Sequence, residues 1–211
     1  MILEISVAAD QIVLLTANEA ASVTGVPLRQ VHRIIDAGLL RGAVKRRRNA
    51  RLLTRNALIG LKLAHATANV LTPDSRRGVV AALIRHPRQS VICIDAVVVD
   101  VRPAAKAVRS GLDLLTKARR LVSTTSDVLG GAPVLKGTRI PVHDIADMLT
   151  NGDTPAAIAR AYPQLDEEQV RLAATYASAY PRRGRPRAKA RWRSRRPKAS
   201  ETIAFDSVER A

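Results

Sequence analysis

The sequence predicts a mainly α protein with small β-hairpins, an α+β chain, and three observations carry that reading. Apolar residues recur at helical spacing over most of the first 180 positions, with good N-cap residues at Thr16, Thr54, Thr72, Thr154 and Asp166. Short β-branched runs or runs punctuated by Gly and Pro interrupt the helices near residues 40–53, 91–101 and 133–140. Aromatics make up only 2% of the chain, so Ala, Val, Leu and Ile must build the cores. The 211 residues divide into an N-terminal region over 1–122, a second small domain over 127–180 and a basic tail over 181–211.

From the N-terminus, Met1 to Ala8 alternates weakly and reads as a strand. Leu14 to Val23 reads as a helix opened by Thr16, with Glu19 three positions on to complete a capping box. Gly25-Val26-Pro27 supplies a tight turn, and Leu28 to Ala37 a second helix with Val31, Ile34 and Ile35 inward and Gly38 as its stop. A helix, a three-residue turn containing Gly and a second helix make a helix-turn-helix. Arg29, Gln30, His32 and Arg33 are the polar residues of the second helix, and Arg and Gln can pair with guanine and adenine edges. The same four fit equally well as the solvated face of an amphipathic helix. Two apolar flanks then enclose a loop with Lys45, Arg46, Arg47, Arg48 and Arg51, the form of a wing whose cations would lie along phosphates.

Helices are expected from Arg55 to about Val70, from Thr72 to Arg85 and from Pro103 to about Leu121. Between the last two, Val91 to Ile94 and Val97 to Val101 form the plainest hairpin in the chain. Cys93 sits inside that strand pattern and is expected to be a small buried hydrophobe. Ser123 to Asp127 reads as a polar joint. Beyond it, Pro133-Val134-Leu135 and Thr138-Arg139-Ile140 read as strands of a second hairpin reversed by Lys136-Gly137, followed by helices from about Val142, from Thr154 and from Asp166. Three carboxylates, Asp166, Glu167 and Glu168, open the last helix, so groove reading by this part is not expected; dimerisation through its helices or the ribbon is.

Charge and cysteine usage narrow the function classes. Lys and Arg number 35 against 18 acids, a formal net charge of +17 that points to a polyanionic partner or an acidic protein surface. One cysteine excludes an internal disulfide, and His32, His65, His86 and His143 share no ligand spacing, so no metal or cofactor is expected. Neither a basic leader nor a long apolar run is present, which reads as a cytoplasmic protein without a membrane span. No paired carboxylates, activated nucleophile or phosphate loop occur at usable spacing, so no catalytic residues are assigned and an enzyme is not expected.

The run from Gly130 to Ala177, with its Lys-Gly-Thr-Arg-Ile-Pro core and its Thr-Pro-initiated helix, resembles the DUF433 family of small bacterial domains. That resemblance implies an antitoxin of a VapBC-like type II toxin-antitoxin pair, partnered by a ribonuclease with a PIN-type fold, and an N-terminal DNA-binding region. Leu15 to Leu40 is in turn similar to MerR-like and excisionase-like winged helices, whose second helix enters the major groove.

The tail changes composition abruptly. Pro181 to Lys198 holds ten cations in eighteen residues, three prolines and no acid, a composition that reads as disordered. Trp192, the only tryptophan, lies within it, and Ile203, Phe205 and Val208 follow. Two uses fit. Trp192, Ile203, Phe205 and Val208 can anchor in grooves of a toxin while Arg191, Arg193, Arg195 and Arg196 approach an acidic nuclease site. Alternatively the tail tethers nucleic acid without reading sequence. The combined expectation is a homodimeric antitoxin that represses its own operon through operator DNA; a stand-alone DNA-binding regulator is the alternative.

Overall fold

In the computed structural model, helix formation begins where the capping residues place it; the structure describes residues 13–47, 50–94, 96–125 and 128–182. The weak N-terminal strand, Met1 to Ala8, lies outside these residues. So does the tail beyond Arg182, including its expected disorder. The described residues up to Pro181 form one compact unit, and the second unit, Arg182–Ala211, contributes only Arg182 to the described residues. Among the described residues there are eight α-helices and three two-stranded antiparallel sheets, in agreement with the α+β expectation.

α1 (Ala17–Thr24) is opened by the Thr16 hydroxyl and closed by Gly25 in the left-handed region at φ 67°, where a side chain would strain the backbone. α2 (Leu28–Asp36) presses Val31 and Ile34 inward. β1 (Val44–Arg47) and β2 (Ala50–Leu53) then form a hairpin with Arg46 opposite Arg51. Leu15 adds a one-residue third strand, exchanging both backbone hydrogen bonds with Leu53 at 3.0 and 2.8 Å. α3 (Arg55–Ala66) runs through the core, burying Ala57, Leu58, Ile59, Leu61, Leu63 and Ala64; Gly60 leaves room there for Leu40 and Val80. It stops four residues short of the expected Val70, because the Thr67 hydroxyl returns to the Leu63 carbonyl at 2.8 Å and the chain turns.

α4 (Pro73–Arg85) lays Val79, Val80 and Leu83 on this core and leads into β3 (Val91–Ile94) and β4 (Val97–Asp100). Here the sequence expectation is corrected: Cys93 is exposed. The hairpin packs one face only, and strand alternation that turns Ile92 inward turns Cys93 outward. α5 (Arg102–Leu121) buries Ala104, Val108, Leu115 and Ala118 along one stripe. At Gly111 it meets α1 so closely that a Cβ would lie 2.1 Å from the Val23 carbonyl oxygen.

α5 passes without a joint into β5 (Val122–Ser123), which pairs with β6 (Val134–Leu135), Val122 opposite Leu135. Thr138 to Ile140, the expected partner of β6, is not a regular strand, although the hairpin closes there: the Leu135 amide donates to the Ile140 carbonyl and the Val142 amide to the Pro133 carbonyl, each at 3.0 Å, with Val134 opposite Pro141 in an isolated antiparallel bridge. The reversal at Lys136-Gly137 forms, but the Thr138 hydroxyl donates to the Leu135 carbonyl and accepts from the Ile140 amide, holding that backbone in a local turn. Ser123, expected in a polar joint, is thus a strand residue. α6 (Val142–Thr150), α7 (Pro155–Ala161) and α8 (Glu167–Ala179) enclose a second core of Leu135, Val142, Ile145, Ile158, Leu165, Val170 and Ala173. α8 serves both cores, since Ala179 belongs to the first and Tyr180 packs against it.

Candidate DNA-binding surface

α2 owes its outward face to a simple division of labour along nine residues. Val31 and Ile34 are buried, which leaves Arg29, His32 and Arg33 exposed and Gln30 half-buried. Positions 29, 32 and 33 are related by three and four residues and so share one side of the helix. At 1.5 Å per residue the helix is about 13 Å long, and the dimension that decides entry to a major groove about 12 Å wide is its diameter with side chains, about 10–12 Å as for any helix. The β1–β2 hairpin is joined to this helix by an ion pair from Arg51 of β2 to Asp36, the last residue of α2. Lys45, Arg46 and Arg47 are exposed along β1. Arg51 therefore neutralises a carboxylate of the protein itself, unlike the three cations of β1. Arg48 lies outside the described residues, as do all the tail positions singled out above: Arg191, Trp192, Arg193, Arg195, Arg196, Ile203, Phe205 and Val208.

Side chains that the sequence did not single out set the angle between the two helices. The Lys62 ammonium of α3 donates to the Thr24 carbonyl at 2.8 Å, capping the end of α1 where the helix dipole favours a cation. The Thr24 hydroxyl bonds back to Ala20 and accepts from the Val26 amide, so the turn is tied on both sides. At the wing's root the Thr54 hydroxyl donates to the Ala43 carbonyl at 3.0 Å and caps α3 through the Ala57 amide.

A second constellation joins α1 to α5 and to the residue after α8. Glu19, 7% exposed, completes the α1 capping box by accepting from the Thr16 amide at 2.7 Å and the Thr16 hydroxyl at 2.9 Å. Its other oxygen accepts from Arg119 of α5 at 2.7 Å and from the Tyr180 phenol at 2.6 Å. Arg119 also donates to the Tyr180 oxygen at 2.6 Å, and the Tyr180 carbonyl lies 2.8 Å from His143 Nε2. Burial alone would push the Glu19 carboxyl up; the hydrogen bonds from Tyr180, Thr16 and Arg119 outweigh it and hold the group below its ordinary range. Burial and the neighbouring Glu19 raise the Tyr180 phenol to about 12. Residues 19, 119 and 180 are too far apart in sequence for any local pattern to have joined them. The capping box was legible; the other duties of its glutamate were not.

Among the described residues no group of three or more His, Cys, Asp or Glu could hold a metal ion, and no helix is long and apolar enough to cross a membrane. Residues 122–177, from the first residue of β5 into α8, match the family described as Protein of unknown function (DUF433). The chain is also similar to the Uncharacterized protein y4eO of Sinorhizobium fredii, 35% identical over 187 residues that cover 82% of this chain and 85% of that protein. No solved structure matches the chain. Identity at that level over most of both chains makes this protein a member of the y4eO family, one that carries a DUF433 domain at residues 122–177.

Proposed function

We propose that this protein is a DNA-binding repressor and the antitoxin of a type II toxin-antitoxin pair. The observation that carries the DNA-binding half is the exposed face of α2, Arg29, His32 and Arg33, flanked by a wing whose Lys45, Arg46 and Arg47 are all in solvent. Arg29 and Arg33 would read base edges, since a guanidinium fork pairs with two acceptors of guanine. The wing cations would lie on phosphates and add affinity without sequence. Operator binding as a homodimer would present two such units to a two-fold site.

The antitoxin half rests on the resemblance of the DUF433 domain to antitoxins and on the composition of residues 181–211. Ten cations beside Trp192, Ile203, Phe205 and Val208 suit a partner that offers both apolar grooves and carboxylates. A metal-dependent ribonuclease of PIN type has that character, and an arginine among its carboxylates would compete with Mg²⁺. The test separates the two halves. Arg29→Ala and Arg33→Ala are expected to weaken operator binding about tenfold or more each, from the worth of a bidentate base contact, and to leave silencing of the neighbouring gene's ribonuclease unchanged. A chain ending at Arg182, which keeps Tyr180 and its bonds to Glu19 and Arg119, is expected to lose the silencing. Equal loss of both activities in the arginine variants would contradict separate surfaces, and failure of the full chain to capture any neighbouring ribonuclease would leave a stand-alone regulator.

A further inference from the structure

We infer that the turn after α4, which carries Arg85 and Arg88, is a second phosphate contact that continues the line of cations on β1 along a DNA backbone. The inference rests on the DNA-binding reading proposed above and adds a site to it. Charge is the first observation. From Ala37 to Ile94 the chain has twelve Lys and Arg against a single acid, Asp74, whereas elsewhere up to Tyr180 twelve cations meet fourteen acids. The positive charge of the compact unit is therefore gathered in this one segment. Within it Arg51 is paired with Asp36 and Arg77 with Asp74, and Lys62 and Arg76 donate to backbone carbonyls. Arg41, Lys45, Arg46, Arg47, Arg85 and Arg88 are exposed and have no partner among the described residues.

Packing is the second observation. Val80 of α4 and Leu40 close together on Gly60, each 3.2 Å from the place of a Cβ there, and one turn further along α4 Ile84 lies 3.6 Å from the corresponding point at Gly42. α4 thus runs beside the chain that leads into β1, and the residues that come next are Arg85 on one side and Val44 and Lys45 on the other. The backbone after α4 is held in place. The His86 amide closes the helix on the Ala82 carbonyl at 2.8 Å, and the Gln89 amide donates to the His86 carbonyl at 3.1 Å across a turn formed by Pro87 and Arg88. The helix dipole gives Arg85 a use at the end of α4. Arg88 stands past the helix and has no such use. Cations held together without counter-charge repel one another, and a phosphate backbone relieves that repulsion while releasing its own counterions. Contacts of this kind strengthen binding to every sequence alike and read no bases.

The experiment is fluorescence anisotropy of the full-length chain on a labelled mixed-sequence duplex at stepped salt. Arg85→Gln/Arg88→Gln, with an unchanged circular dichroism spectrum, is expected to make the log–log salt slope shallower by about 2, at about 0.9 per phosphate contact. Lys106→Gln/Arg109→Gln removes the same charge from two exposed positions of α5 and is expected to leave the slope as it was. In the unmodified chain the duplex is expected to protect Arg85 and Arg88 from phenylglyoxal, read by peptide mass, which tests the site should the first variant fail to fold; absence of protection then overturns the inference. An unchanged slope in the folded Arg85/Arg88 variant, or equal losses in the two variants, also overturns it, the second because net charge and not this turn would be at work. Failure of the unmodified chain to bind any duplex would overturn the DNA-binding reading and this inference together, whereas normal binding with an unaltered slope removes this inference alone.

Discussion

Replacing Glu19 by alanine is expected to cost the compact unit about 3 kcal/mol, and the contributions can be followed bond by bond. The capping box at the start of α1 is worth about 1 kcal/mol. Tyr180 loses the acceptor of a 2.6 Å bond in a partly buried site, a further loss of about 1 kcal/mol. Arg119 loses its ion pair, but its side chain is 44% exposed and water replaces much of it, so about 1 kcal/mol is again a fair figure. The melting temperature should fall by about 6–12 °C for a unit of this size. Thermal unfolding followed at the helical dichroism band measures it. Because the same carboxylate joins α1, α5 and the end of α8, the transition should stay single while shifting as a whole. A loss below about 0.5 kcal/mol would refute the view that Glu19 joins α1, α5 and the end of α8.

Other expectations follow from the same geometry. Gly111→Ala places a Cβ 2.1 Å from the Val23 carbonyl oxygen, backbone that cannot step aside, and is expected to destabilise by about 3 kcal/mol, the upper end for overpacking, in denaturant unfolding; a loss under about 1 kcal/mol would show that α1 and α5 part easily. The pH limits of stability should carry the signature of the Glu19 cluster. Glu19 is depressed in the fold, so its contribution is present above the ordinary glutamate range and fades as acid reaches its folded value, a fading that Glu19→Gln should remove. Tyr180 is raised to about 12, so its contribution is full below pH 10 and is lost between 10 and about 12; Tyr180→Phe should flatten that alkaline limb in urea titrations at stepped pH. Removing Lys45, Arg46 and Arg47 together should make the salt dependence of DNA binding shallower by about 2 to 3 in log–log slope, measured by fluorescence anisotropy, since each phosphate contact contributes about 0.9. An unchanged slope would place the wing off the DNA.

Much of the architecture was legible because its signals are local. Thr16 with Glu19, Thr72 before Pro73, and Asp166 with the carboxylates after it mark helix starts through hydrogen bonds that span three residues, and these starts stand where the spacing placed them. The β1–β2 hairpin was legible for a similar reason, an apolar flank on each side of a basic turn. What failed was burial and pairing across distance. Strand alternation showed that Cys93 and Ile92 must face opposite ways, yet nothing in four uncharged residues says which way is in. The two-residue strand at Val122–Ser123 is too short for a period, and its partner is set by where α5 happens to end. Gly111 of α5 is the contact with α1, a pairing across nearly ninety residues that no local pattern announces. In the candidate site, Arg29, His32 and Arg33 stand exposed on α2, whereas Arg51 turned out to serve Asp36, an acid fifteen residues before it.

The most direct test of the account is selection of bound duplexes from a randomised DNA library by the full-length chain at about 150 mM salt, in parallel with Arg29→Ala/Arg33→Ala. The account predicts a defined motif for the unmodified protein and loss of base preference in the variant, with residual salt-sensitive binding from the wing. Recovery of duplexes without any enriched sequence, or the same motif from both proteins, would contradict α2 as the element that reads DNA.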